Sequence, residues 1–139
     1  MRDPHRHLTA TGRRQARGIG ERLRWHDCIP THIWASPLVR AVQTAELVAA
    51  GLHSELPVET LPALAPDESP RSVVAALAAL PTDAIVILVG HEPGLSGVGA
   101  LLVGQPDFPG LAKAQAARID SGALRWRFAC DADAPEIPA

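Results

Sequence analysis

An arginine and a histidine, each placed just after an apolar run, are the residues of this chain best suited to chemistry. Arg40 lies within Ser36-Pro-Leu-Val-Arg-Ala-Val-Gln-Thr-Ala45, which follows the apolar residues 33–35 and begins a helical pattern. A turn from strand to helix directs unpaired backbone N–H groups at one point, and an arginine adds donors that match phosphate oxygens. The pattern therefore predicts a phosphate site, although an ordinary corner with a solvated arginine fits the spacing equally well.

The histidine closes the second apolar run. His91 lies in Val89-Gly-His-Glu-Pro93, directly after Ala84-Ile-Val-Ile-Leu-Val89 and before another helical pattern. Ligands of open α/β sheets bind at the carboxyl ends of the strands, so we expect His91 and Arg40 to face the same crevice. A lone histidine at a strand end is more often structural than catalytic, and its pairing with Arg40 favours a functional role.

The elements that must position these two residues alternate between strands and helices. We predict helices from Thr9 to about Trp25, from Leu38 to about Ala50 with Gly51 ending it, from Ser69 or Pro70 to about Leu80, and from Gly94 to about Val103. We predict strands at Thr31–Ala35, 58–60, Ala84–Val89, Ala117–Asp120 and Leu124–Ala129. The run Ala84–Val89 is apolar throughout, which is typical of a strand covered on both faces. The pattern predicts an α/β three-layer sandwich with a mostly parallel sheet and helices on both faces.

Composition narrows the class of protein. The 139 residues favour one domain, and a net charge of −2 without a basic block argues against a nucleic-acid partner. No apolar run reaches about 18 residues and the N-terminus lacks a signal-like apolar stretch, so we expect a cytoplasmic protein without a membrane span. We also expect a monomer. Cys28 and Cys130 show no metal spacing; a disulfide is possible, and two reduced thiols are favoured. We expect no metal or cofactor, and a frayed tail at 131–139.

Four segments together resemble the histidine phosphatase superfamily, and most closely the SixA-type phosphohistidine phosphatases. They are Ser36–Ala45, Val89–Pro93, Arg6-His-Leu-Thr-Ala-Thr-Gly-Arg-Arg-Gln-Ala16 and Gly122-Ala-Leu-Arg-Trp126. The resemblance covers nearly the whole chain, in order. It implies the phosphoglycerate mutase-like fold and, as substrate, a phosphohistidine-bearing protein or a small phosphoester.

The resemblance also implies a pocket of two arginines and two histidines. One histidine attacks phosphorus and is phosphorylated, and water then removes the phosphoryl group. Arg40 matches the second arginine of the family, and His91 matches the second histidine, which contacts the phosphoryl oxygens. Glu92 could orient or charge the His91 ring, or simply begin the helix favourably. Asp67 and Glu68, in a proline-rich crossover, are candidate acids, with a solvated loop pair as the favoured interpretation.

The resemblance fails at the N-terminus. The family places its nucleophile in Arg-His-Gly at the end of a first, central strand, well before the Leu-Thr segment; here seven residues precede Leu8. Arg6-His7 adjoins Leu8 directly, and we expect His7 to be an ordinary loop histidine. We therefore expect a domain, residues 1–139, that is N-terminally incomplete and inefficient as a phosphatase.

Three explanations compete for this difference. The favoured one is a fragment, or a gene model begun at an internal methionine. The others are a non-catalytic relative that still binds phosphate or a phosphoprotein, and a site rebuilt from the amino-terminal residues. A nucleotide-binding domain is disfavoured because no glycine-rich phosphate loop follows any predicted strand.

Overall fold

The computed structural model describes residues 7–105, 108, 111, 115–120 and 122–129, so the predictions made for residues 1–6, for Ser121 and for the tail from Cys130 lie outside it. The helices are α1 (Ala10–Trp25), α2 (Val39–Leu52), α3 (Pro70–Ala78) and α4 (Gly94–Val103), with a 3-10 turn at Pro62–Leu64. The strands are β1 (His32–Ala35), β2 (Val58–Thr60), β3 (Val86–Val89), β4 (Gln115–Asp120) and β5 (Ala123–Ala129). Within these ranges, no helix has the length and apolar character needed to cross a membrane.

A parallel sheet lies at the centre of the fold. Its strand order is β2-β1-β3, and Ala35 of β1 is in register with Val89 of β3. Strands β4 and β5, both predicted from the sequence, form a separate antiparallel pair. The predicted α/β fold with a parallel sheet flanked by helices is therefore confirmed.

Alternate residues of the strands pack on opposite faces of the sheet. Ile33 and Ala35 are fully buried against Ala45 and Ala49 of α2. On the other face, Trp34 packs with a cluster contributed by the 3-10 turn, α3 and α4: Leu64, Val73 and Val98. A third cluster joins α1 and α2 to β5 through Ala16, Ile19, Leu23, Val48, Leu52 and Phe128. The core is almost wholly aliphatic, so its stability rests on many small buried groups.

The contact between α1 and α2 requires two glycines. A Cβ atom on Gly20 would lie 2.1 Å from the carbonyl oxygen of Val48, and one on Gly51 would lie 2.2 Å from that of Arg17. The prediction that Gly51 ends α2 is wrong, since the helix continues to Leu52. His53, with a φ of 60°, is the left-handed residue at its end. Gly51 allows a close approach of two backbones instead.

Strand β3 is less buried than its composition predicts. All four of its residues are partly exposed, whereas the apolar run indicated cover on both faces. Among the described strands β3 pairs only with β1, so one of its edges has no neighbouring strand. The strand also begins later than predicted, at Val86; the N–H of Ile85 donates to the Thr31 hydroxyl over 3.0 Å rather than to a backbone carbonyl of β1. No strand precedes α1 in the described part of the chain.

Candidate functional site

The ends of β1 and β3 bring two turns to one edge of the sheet. Ala35 and Val89 are the last residues of these strands and are paired in register. The N–H of Ser36 donates to the carbonyl oxygen of Val89 over 2.9 Å, which extends the ladder by one bond. The segments carrying Arg40 and His91 therefore begin side by side, at the edge where parallel sheets bind ligands.

Ser36 connects the two turns through its side chain. It is fully buried, and its Oγ lies 2.8 Å from Nε2 of His91. The same Oγ accepts the N–H of Leu38 over 3.3 Å. The sequence interpretation did not single out Ser36 as a site residue. A serine before a proline is an ordinary turn signal, and nothing local indicates a partner 55 positions away.

Arg40 is the second residue of α2, and its side chain is half-buried. Within the described residues its guanidinium has no hydrogen-bond or ion-pair partner; only its carbonyl is used, accepting the Thr44 hydroxyl over 2.8 Å. Leu38 precedes the helix without a side-chain cap, so the first N–H groups of α2 have no capping side chain. A cation and uncapped helix N–H groups at one point favour a bound anion.

A cavity of about 210 Å³ lies beside His91. Its walls come from residues 63–68, from the start of α3 and from the turn that leads into α4. It thus brings together His91 and three predicted candidate groups: Glu92, Asp67 and Glu68. Asp67 and Glu68 are exposed, and Arg40 is not among the described residues that line the cavity.

Glu92 makes the contacts of a helix cap. One carboxylate oxygen accepts the N–H of Ser96 over 3.0 Å, and the other accepts the Ser96 hydroxyl. Pro93, which precedes α4, supplies no side-chain cap of its own. Of the roles considered for Glu92, these bonds correspond to the start of the helix.

His7 lies against α2. Its Nδ1 is 2.9 Å from Nε2 of Gln43, and the N–H of Leu8 donates to Oε1 of the same amide over 2.9 Å. Gln43 is three positions after Arg40, so it lies one turn further along the same face of α2. The segment before α1 is therefore attached close to the Arg40 turn.

Metal ligation is not supported by the arrangement of side chains. No group of three or more His, Cys, Asp or Glu residues suited to a metal ion occurs in the ranges that the structure describes. The site consists instead of one arginine, one histidine held by a buried hydroxyl, a helix N-terminus and nearby carboxylates. Such a set can bind an anion and move a proton.

Comparisons with known proteins agree with this geometry. The model of the histidine phosphatase superfamily (branch 1) matches residues 2–66. A structure of the protein histidine phosphatase SixA complexed with tungstate superposes with a TM-score of 0.82 at 27% identity, covering 93% of this chain and 87% of that one. No curated protein sequence gives a significant match.

Two further solved structures share the fold. A putative phosphohistidine phosphatase SixA from Nakamurella multipartitia gives a TM-score of 0.69 at 26% identity, over 84% of this chain and 74% of that one. A putative phosphohistidine phosphatase SixA from Agrobacterium tumefaciens gives a TM-score of 0.71 at 20% identity, over 83% of this chain and 77% of that one. The resemblance seen in the sequence is confirmed: this chain has the histidine phosphatase fold of the SixA proteins.

Proposed function

We propose that this chain, which has the fold of the SixA phosphatases, binds a phosphoryl group between Arg40 and His91. Its substrate would be a phosphohistidine side chain of a protein, or a small phosphoester. The observation that carries the proposal is the Arg40 guanidinium, half-buried at an uncapped helix start without a described acceptor. The SixA structure with tungstate, a tetrahedral oxyanion like phosphate, supports an oxyanion as the ligand.

Each group has a distinct task in this proposal. Arg40 supplies a planar pair of donors to two phosphoryl oxygens, and the first N–H groups of α2 add a partial positive charge. His91 donates one hydrogen bond to the same phosphoryl group. Fixed donors of this kind stabilise the charge that spreads over the oxygens during transfer.

In a complete site, the reaction runs in two displacements. A neutral histidine attacks phosphorus, a P–N bond forms, and the bond to the leaving group breaks; water then attacks the phosphohistidine and releases phosphate. When the substrate is itself phosphohistidine, the leaving imidazole must be protonated. The exposed carboxyls of Asp67 and Glu68 border the cavity beside His91 and are the candidate donors.

The proposal assigns no nucleophile to Arg40 or His91, and His7 is the residue to test for that role. Arg6-His7 is the one place in this sequence where a histidine directly follows an arginine, and Leu8 rather than glycine comes next. His7 is bonded to Gln43 and leads directly into α1 rather than ending a described strand. We therefore expect turnover by these 139 residues to be slow.

The test is hydrolysis of a phosphohistidine peptide followed by phosphorus NMR. The wild type is compared with Arg40→Ala, His91→Ala and His7→Ala, with Arg13→Ala on the exposed face of α1 as the control. If the chain is a phosphatase, the wild type releases phosphate. Arg40→Ala and His91→Ala are then expected to abolish the release, and Arg13→Ala to leave it unchanged. Release that survives both site substitutions would reject it. Rapid turnover abolished by His7→Ala would overturn the expectation about His7.

A second candidate function is phosphate or phosphoprotein binding without turnover. The observation that favours it is that Arg40 and His91 are present while the sequence contains no Arg-His-Gly. It predicts that the wild type binds phosphate, that Arg40→Ala weakens the binding, and that the phosphohistidine peptide stays intact. Phosphate release dependent on Arg40 would exclude this candidate.

A further inference from the structure

Ser36 is the one buried polar side chain in the described part of the chain, and it lies at the centre of the candidate site. Its hydroxyl has two partners there, the N–H of Leu38 and Nε2 of His91, at 3.3 Å and 2.8 Å. Its backbone N–H is bonded to Val89, two residues before His91. The backbone and the side chain of Ser36 are thus both hydrogen-bonded to the segment that carries His91.

The bonding capacity of the hydroxyl decides which hydrogen lies between Ser36 and His91. A serine hydroxyl has one hydrogen to donate and two lone pairs to accept. Leu38 uses one lone pair. If Nε2 carried a hydrogen it would use the second, and the hydroxyl hydrogen of Ser36, a residue with no solvent contact, would have no described acceptor. If Nε2 is bare, the hydroxyl donates to it, and both the hydroxyl hydrogen and Nε2 have a partner, as buried polar groups normally do.

We propose that Ser36 is a positioning residue that holds His91 as a neutral ring with its hydrogen on Nδ1. The role rests on the proposed phosphate site: because Nε2 is turned to Ser36, Nδ1 carries the one hydrogen that the neutral ring can donate. The ring then acts there as a donor without carrying a net charge. Ser36 acts on the substrate only through His91, and this separates its role from that of Arg40.

The test is nitrogen NMR of protein labelled with ¹⁵N-histidine, recorded at pH 7.5 without phosphate, with the His91 signals assigned through His91→Gln. In the wild type, Nε2 is expected to be the bare nitrogen and Nδ1 the protonated one. Ser36→Ala is expected to mix the two tautomers, and Ser36→Thr, which restores a hydroxyl, to return the wild-type pattern. A wild-type spectrum with the hydrogen on Nε2 overturns the proposal without any variant.

A matched control comes from Ser54, whose hydroxyl accepts the N–H of Leu56 over 3.2 Å, the same local bond that Ser36 makes with Leu38. Ser54→Ala removes that bond, and no described hydrogen bond joins Ser54 to His91, so the His91 signals are expected to stay unchanged. If Ser54→Ala shifts the tautomer as Ser36→Ala does, the effect is one of general stability and the proposal is rejected.

Titration of the His91 signals gives an independent readout. The Ser36 hydroxyl stabilises the neutral ring, so the pKa of His91 is expected to rise in Ser36→Ala and to return in Ser36→Thr. The carboxyls that share the cavity with His91, those of Asp67, Glu68 and Glu92, are the same in all variants. An unchanged pKa contradicts the proposal. Failure of the wild type to bind phosphate would reject the proposed function and leave the tautomer result standing.

Discussion

At the scale of single residues, the two side chains proposed to hold a phosphoryl group are positioned in different ways. Arg40 extends from the first turn of a helix, and its charge has no described acceptor within the protein. His91 lies in a turn and is fixed by a buried hydroxyl. Their positions after apolar runs were enough to predict that both residues follow strands that end at the same edge of the sheet. The contact between Ser36 and His91 could not be predicted, because it depends on the pairing of β1 with β3 and joins residues 55 positions apart.

Glu92 is predicted to stabilise the fold through α4. Replacing it with alanine removes both bonds to Ser96, and the loss of a helix cap costs about 1 kcal/mol of unfolding free energy. Urea denaturation of Glu92→Ala measures this cost. Glu68→Ala, on an exposed residue of the same cavity, is the control and is expected to change stability by less than about 0.5 kcal/mol. Equal stability of the two variants would show that the cap contributes nothing.

Cys28 is predicted to react slowly with alkylating reagents. Burial raises the pKa of its thiol, and the positive charge of Arg118 opposes the rise without cancelling it. The thiolate is the reactive form, so the alkylation rate increases with pH as the thiol loses its proton. For the folded Cys130→Ser variant, this increase is expected at higher pH than for the same variant unfolded in urea. Arg118→Ala should slow the reaction further at a fixed pH, and Arg125→Ala, on an exposed residue, should not. Identical pH profiles for the folded and unfolded chains would contradict this prediction.

At the scale of elements, sequence patterns describe two features least well: the pairing of α1 with α2, and the edge of β3 that has no neighbour among the described strands. Periodicity placed every described helix and strand within a few residues of its observed position. It could not show that Gly51 serves a contact between backbones rather than a helix end, because both uses select glycine. It also predicted full burial for β3, since an apolar run does not reveal how many neighbouring strands the structure provides.

The close approach of α1 and α2 leads to a prediction for Gly20. Alanine is a better helix former by up to about 1 kcal/mol, but its Cβ would lie 2.1 Å from a backbone oxygen that cannot rotate away. Overpacking of this kind costs about 1–3 kcal/mol, so Gly20→Ala is expected to lower the free energy of unfolding by about 2 kcal/mol. The measurement is urea denaturation. Gly94→Ala, where nothing lies within 4 Å of the added atom, is the control. A stabilised Gly20→Ala variant would refute the contact.

At the scale of the whole molecule, the fold explains why distant residues form one site. Parallel strands end at the same edge, so the residues after β1 and β3 meet although 55 positions separate Ser36 from His91. The sequence predicted the fold class and the resemblance to the histidine phosphatases, because alternating elements and four ordered motifs are global patterns. It did not predict which hydroxyl, cap or glycine completes each contact, because those depend on packing between elements.

The central claim is that Arg40 anchors a phosphate-like anion at the start of α2. Titration calorimetry with orthovanadate on the wild type, Arg40→Ala and Arg13→Ala tests it most directly. Charge-assisted hydrogen bonds contribute about 1.5–3 kcal/mol, so Arg40→Ala should weaken binding by roughly ten- to a hundredfold while Arg13→Ala binds as the wild type does. A folded wild type that does not bind vanadate, or an Arg40→Ala variant that binds it equally well, would contradict the claim.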